Sequence, residues 1–460
     1  MIVHRLRLGA FVGSAILALA GVAHADNWPQ WRGPTNDGIC HEKSMPTKWT
    51  ATENIAWSLK MPGMGSSTPA VWGDKIFLTS EEGDDVDLVC VSTAGKELWR
   101  RKLGSSDHAK RFMGNEGNNA SASPCTDGKY VFTFTGVGDL ACYTVAGEKV
   151  WDLNVQDKYG KFRIQWGMHT TPLLHKDCLY LTLQHSNGRK VISFDAATGK
   201  EIWALKRDDD AEAECEQAYT SPVIWHKGNR EYLVVHGNDY CTAHELKDGQ
   251  EIWRVGGLNP KAGYNKFFRM VASPLATEDL IVIPTAKNGP IVGVRPDGKG
   301  LILPGNPAEQ WRLSKGTPDV PSPLYYDGLV YLCKEDGKLA CLDAKTGKEH
   351  YLERTHASLH RASPVYADGK IYLTAKDGVV TVVKAGPKFE VLATNRLVDK
   401  PAAPTAPPAA PPGGGGRRGG RGASFGSESI NASPAFSNGR IYLRSYDTLY
   451  AIEQGKKLIN

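Results

Sequence analysis

The chain has 460 residues, 41% of them hydrophobic, with 55 Lys and Arg against 50 Asp and Glu and a formal net charge of +5. That is ample for a large packed core, and too evenly balanced in charge to argue for a polyanion partner such as nucleic acid. Nine cysteines is an odd number, so at least one is unpaired within the chain, and no CxxC, CxxCH or metal-finger spacing is present.

Residues 1–25 read as an export leader. Arg5 and Arg7 make a basic start, LGAFVGSAILALAGVA is the apolar stretch, and AHA (23–25) is a cleavage site between Ala25 and Asp26. The apolar run is short of the roughly 20 residues that span a bilayer. No cysteine follows the cleavage site, so a lipid anchor is not expected either. The mature chain, at +3 once the two arginines are lost, is expected in the periplasm or outside the cell.

Residues 26–48 form a lead-in that opens NWPQWRGPTNDGI, and a repeat occupies 49–460. One mark of the repeat is a glycine four residues before an aromatic: Gly95/Trp99, Gly147/Trp151, Gly199/Trp203, Gly249/Trp253 and Gly347/Tyr351. A second is a Ser or Thr just ahead of a proline and a short strand, at prolines 69, 124, 172, 222, 274, 323, 364 and 434. Successive prolines are 41 to 55 residues apart, except for a last gap of 70. Four short strands per unit at that period predict a β-propeller of four-stranded antiparallel blades.

The unit 320–355 shows the design. SPLYY, LVYLCK, KLACLDA and EHYLER are strands, and DG, EDG and KTGK turn them. Glycine suits these turns because it adopts positive φ at little cost. The final unit, 431–453, has three strands, and NIAWSLKM (54–61) supplies a fourth from the N-terminal side. This closes eight blades without a free sheet edge at the seam. The aromatics Trp57, Trp99, Trp151, Trp203, Trp253, Trp311 and Tyr351 follow the repeat, so each is expected to fill the wedge between blades rather than hold a ligand.

Five residues before the turn glycine stand Cys90, Cys142, Phe194, His244 and Leu342. This is one core slot, so the two cysteines and His244 are expected inside the sheet stack. The turn after Glu335 places Cys341 opposite Leu332 and not Cys333, so no disulfide is expected there. Residues 401–422, PAAPTAPPAAPPGGGGRRGGRG, explain the long last gap. Such a tract cannot bury a core and reads as a disordered loop. Its RGG-like composition also suits single-stranded nucleic acid, which export argues against.

The repeat DGKLACLDAKTGKE followed by an aromatic resembles the PQQ-type (pyrroloquinoline quinone) propeller repeat, over about 49–460. The stretches NWPQWRGPTNDGI and DGKIYLTAKDGVVTVVKAGPKFEVLATN resemble a secreted bacterial, planctomycete-type subgroup. The resemblance implies two functional classes. Quinoprotein dehydrogenases hold PQQ and Ca²⁺ in the central funnel, with adjacent cysteines, a carboxylate base and Glu and Asn ligands. The outer-membrane assembly lipoprotein has the same propeller without cofactor and binds partner proteins. This chain has no adjacent cysteines and no haem motif, and it lacks the lipid-anchor cysteine.

The segments leading into each innermost strand line one mouth of the central channel. They put Glu116, Asn119, Trp166, His169, Arg269, His360 and Arg361 forward as ligand or catalytic groups. The alternative is that they are solvated loop ends with capping hydrogen bonds. Were PQQ to bind, Arg269 or Arg361 would pair its carboxylates and Trp166 would stack on its ring. No catalytic residue or metal ligand is assignable by motif. The reading favoured by the sequence is a non-catalytic, monomeric scaffold for a protein or envelope component. Its rival is a PQQ/Ca-dependent alcohol or sugar dehydrogenase.

Overall fold

In the computed structural model, which describes residues 27–106, 117–397 and 429–458, each repeat becomes a four-stranded antiparallel sheet. The leader, its cleavage site, the 401–422 insert and Glu116 lie outside the described residues. There are eight such blades, two of them extended by a fifth, parallel strand. Blade 1 is Ala70–Trp72, Lys75–Glu82, Asp85–Ser92 and Glu97–Ser105. Blades 2 to 7 begin at Cys125, Leu173, Val223, Leu275, Leu324 and Val365. Blade 8 combines Ala435–Ser437, Arg440–Arg444 and Thr448–Lys457 with Glu53–Lys60, whose Trp57 stands opposite Ala451.

The turns show why the sequence folds this way. In blade 6, Asp343 accepts from the Thr346 backbone N–H (2.8 Å) and hydroxyl (2.6 Å), and the Gly347 N–H donates to the Asp343 carbonyl (2.8 Å). Asp195, Thr198 and Gly199 repeat this in blade 3. The preceding turn departs from the expected register by one residue. Cys341 faces Tyr331, and Cys333 faces Leu339. The Lys334 N–H bonds the Lys338 carbonyl, so the loop is one residue longer than a two-residue hairpin. All nine cysteines are free.

Adjacent blades are joined by one repeated contact. The indole of Trp151, in the outer strand of blade 2, donates to the Ala196 carbonyl of blade 3 (3.0 Å). Its ring lies on Gly199, where a Cβ would fall 2.6 Å from Trp151 Cδ2 and where φ is +68°. Only glycine tolerates both conditions. Trp57, Trp99, Trp203 and Trp311 dock in the same way on Gly95, Gly147, Gly249 and Gly347, each with an indole bond to a carbonyl of that turn. Trp253 differs. Blade 5 sends Gly300–Ile302 back to run parallel along the outer strand of blade 4 at Trp253–Val255, and the Trp253 indole is fully buried without a hydrogen-bond partner. Tyr351 packs edge-on to Phe389.

Cys90, Cys142, Phe194 and Leu342 are buried, and so is His244, whose ring nitrogens bond the Gly249 carbonyl (2.9 Å) and the Thr242 hydroxyl (2.8 Å).

Two features of the axis have no counterpart in the expectations above. The residue before each repeat proline is Thr68, Ser123, Thr171, Ser221, Ser273, Ser322, Ser363 or Ser433. The backbone N–H of each donates to the hydroxyl of the next at 2.8 to 3.2 Å, and the Ser433 N–H returns to Thr68. Eight hydrogen bonds therefore close a ring around the channel. The lead-in, meanwhile, is a strap across that channel. Trp28 pairs with Val71 of blade 1, and the Thr126 N–H of blade 2 donates to the Pro29 carbonyl. The buried Arg32 guanidinium bonds the carbonyls of Pro323 (2.8 Å) and Pro364 (3.2 Å). Ile39–Cys40 then runs parallel to the inner strand of blade 7.

Candidate functional site in the central funnel

The eight hydroxyls, the strap and the segments leading into the inner strands enclose a cavity of about 280 Å³ on the axis. Trp31 of the strap lines it, together with Trp166, His169, Tyr219, Arg269, Asp319, Arg361 and Asn431. Four of the sequence candidates therefore meet here: Trp166, His169, Arg269 and Arg361.

Both arginines of the wall approach Asp319. Arg361 reaches Asp319 at 3.3 Å, and Arg269 reaches it at 4.0 Å and Glu214 at 3.4 Å. The Arg269 guanidinium also lies over the Trp166 ring, 5.3 Å from its centroid. His169 holds the Trp166 carbonyl through Nε2 (2.6 Å) and meets the Ser121 hydroxyl through Nδ1. Burial lowers the His169 pKa, outweighing the opposing effect of the Trp166 carbonyl. Burial therefore favours the neutral ring, which sits 6.1 Å from the Tyr219 ring. Tyr219 in turn accepts from the Trp166 backbone N–H (3.3 Å). Arg269 is thus shared between Glu214 and Asp319, and Asp319 between Arg269 and Arg361.

Two candidates turn elsewhere. Asn119 is spent on Glu81, through its backbone N–H (3.0 Å) and its side-chain amide (2.8 Å). His360 is fully buried beside blade 6, with Nδ1 on the Ser358 carbonyl (3.0 Å), and burial drives its pKa down to about 4. Neither lines the cavity. The sequence reading missed Trp31, Tyr219, Asp319 and the hydroxyl ring. Of these, the ring had a legible signal in the Ser or Thr that precedes all eight prolines.

The described lining suits the carboxylates of a quinone better than a Ca²⁺ ion. The carboxylates of an anionic cofactor would meet Arg269 and Arg361. A divalent cation would compete with both arginines for Asp319. Among the described residues there is no group of three His, Cys, Asp or Glu placed to hold a metal.

Comparison with known proteins places these observations. No curated protein matches the chain in sequence. Among solved structures, quinohemoprotein alcohol dehydrogenase from Comamonas testosteroni is similar at 13% identity and TM-score 0.65, covering 95% of this chain and 82% of that one. BamB from Moraxella catarrhalis is similar at 12% identity and TM-score 0.57, covering 86% and 98%. The computationally designed Ika8 protein is similar at 13% identity and TM-score 0.56, covering 86% and 98%. At these identities the likeness is one of fold. The family model described as outer membrane protein assembly factor BamB matches residues 138–302 and 304–386. That match spans more than half of the sequence, and the chain belongs to this family of PQQ-repeat β-propellers.

Proposed function

We propose that this propeller is an exported, non-catalytic binding scaffold for a protein or another envelope component. The observation that carries the reading is the state of Asp319. The one carboxylate on the described cavity wall is clamped by Arg269 and Arg361, so it is neither a free base nor a cation ligand. The family match and the likeness to BamB support a partner-binding role. The likeness to a quinohemoprotein dehydrogenase supports the rival, a PQQ/Ca-dependent enzyme, through the fold. On the scaffold reading the chain is a monomer in the periplasm or outside the cell, with its leader removed at Ala25–Asp26.

Thermal unfolding with and without PQQ plus Ca²⁺ separates the two. A ligand at a hundred times its dissociation constant stabilises the folded state by about 2.7 kcal/mol. The scaffold reading expects no shift in the melting temperature at saturating PQQ. A clear upward shift, abolished by Arg269→Ala or Arg361→Ala, would replace it with the dehydrogenase reading. N-terminal sequencing of the secreted chain tests the leader, with Asp26 expected as the first residue.

A further inference from the structure

The charged groups of the funnel wall are taken up with one another, Arg269 with Glu214 and Asp319, and Arg361 with Asp319. The neutral groups are what the wall offers a ligand, and they come in both senses. Each of the eight ring hydroxyls accepts a backbone N–H, and among the described residues none of them donates to a protein acceptor. Two further wall residues carry a buried polar atom without a hydrogen-bond partner, a donor at Trp166 Nε1 and an acceptor at Asn431 Oδ1. An ammonium serves only the acceptor, and a carboxylate serves only the donors. A hydroxyl both donates and accepts, so a ligand bearing several hydroxyls satisfies both kinds.

The strap adds an aromatic platform. Trp31 is half-buried and lines the cavity. It is fixed before by the Pro29 carbonyl, which accepts from the Thr126 N–H, and after by the buried Arg32 guanidinium. An indole face carries negative potential. The C–H groups on the face of a sugar ring, made electropositive by the oxygens beside them, complement it, while the sugar hydroxyls project from the rim toward polar groups. Trp166 offers its N–H edge, because the Arg269 guanidinium already lies over its ring. A peptide finds no such match, since the backbone N–H groups around the axis are spent on the hydroxyl ring. The volume, about 280 Å³, is at the small end of ligand sites and admits the tip of a chain, not a folded element. We infer that the funnel binds the terminal sugar of a neutral glycan, with Trp31 against the sugar ring. This rests on the scaffold reading and names its partner as an envelope saccharide.

The test applies the whole mature chain, fluorescently labelled, to an array of neutral glycans ending in glucose, galactose, mannose or N-acetylglucosamine, with uronic acid-ended glycans and unglycosylated peptides as controls. Retention is expected on neutral glycans that share an end sugar, with competition by the methyl glycoside of that sugar. In calorimetry with the same methyl glycoside, Trp31→Ala should weaken binding by about tenfold or more, and Trp31→Tyr should keep most of the affinity. Trp166→Phe keeps a ring and loses the N–H, and should weaken binding several-fold. A loosened strap does not mimic the contrast between the two Trp31 variants, and circular dichroism checks that each variant is folded. No retention on any neutral glycan, or full affinity in Trp31→Ala, would overturn the proposal. So would stronger retention on uronic acid-ended glycans or on the peptides, or equal competition by the linear polyol sorbitol. Failure of the methyl glycoside to compete would overturn the assignment of the end sugar. These results are separable from failure of the scaffold reading, which shows as a melting shift with PQQ and Ca²⁺.

Discussion

Replacing Gly199 by Ala isolates the contact that holds the blades together. The new Cβ would lie 2.6 Å from Trp151 Cδ2 and 2.7 Å from Cε3, and it would sit on a backbone with φ +68°. Left-handed backbone costs a non-glycine residue about 1–2 kcal/mol. Overpacking against a fixed ring costs about 1–3 kcal/mol more. The substitution should therefore destabilise the propeller by about 2–5 kcal/mol. In a Trp151→Ala background the ring is gone and the backbone cost of about 1–2 kcal/mol is what remains. The pair should then show a coupling of about 1–3 kcal/mol in a double-mutant cycle. Gly228 is the control: its φ is +58°, nothing lies within 4 Å of its Cβ position, and Gly228→Ala should cost the backbone term alone. Urea unfolding followed by far-UV circular dichroism measures all five proteins. If Gly199→Ala costs as much without Trp151 as with it, the indole is not what requires glycine, and the account of blade docking fails.

Ser273→Ala removes the acceptor of the buried Ser221 N–H and should cost about 1–3 kcal/mol. Ser273→Thr keeps a hydroxyl, as positions 68 and 171 do, and should cost much less in the same melting experiment. Acid should destabilise the fold through its buried histidines. Burial depresses His185, His244 and His360 to about 4 and His236 to about 3. The unfolded chain binds protons near pH 6.5 that the folded one refuses, so stability is full above pH 6.5 and falls as the pH drops toward 4. His244→Leu should flatten that slope in a pH series of urea midpoints, and an unchanged slope would count against the buried neutral ring. Arg32→Lys should loosen the strap, because a single ammonium cannot replace the fork on the Pro323 and Pro364 carbonyls. Hydrogen exchange is expected to rise at Tyr366, which pairs with the strap at Ile39, while the inner strands of blades 3, 5 and 6 stay protected.

The sequence by itself carried the local design. Aspartate, threonine and glycine at fixed offsets encode the turns, and alternating apolar residues encode strands, because both depend on neighbours a few residues away. The period of the prolines then gave eight blades. The core slot that holds Cys90 and His244 was legible for the same reason. The tertiary structure decided everything that depends on residues far apart in the chain. Arg269 and Arg361 become one site because Asp319, from a third lead-in segment, stands between them. Asn119 and His360 look equivalent to their neighbours in sequence, yet one turns to Glu81 and the other folds onto its own loop. The strap lies across the channel because Arg32 finds carbonyls about 300 residues away, at Pro323 and Pro364. Periodicity records which face of a strand is buried. Where a loop side chain points depends on hydrogen bonds to distant partners, and no local pattern specifies those.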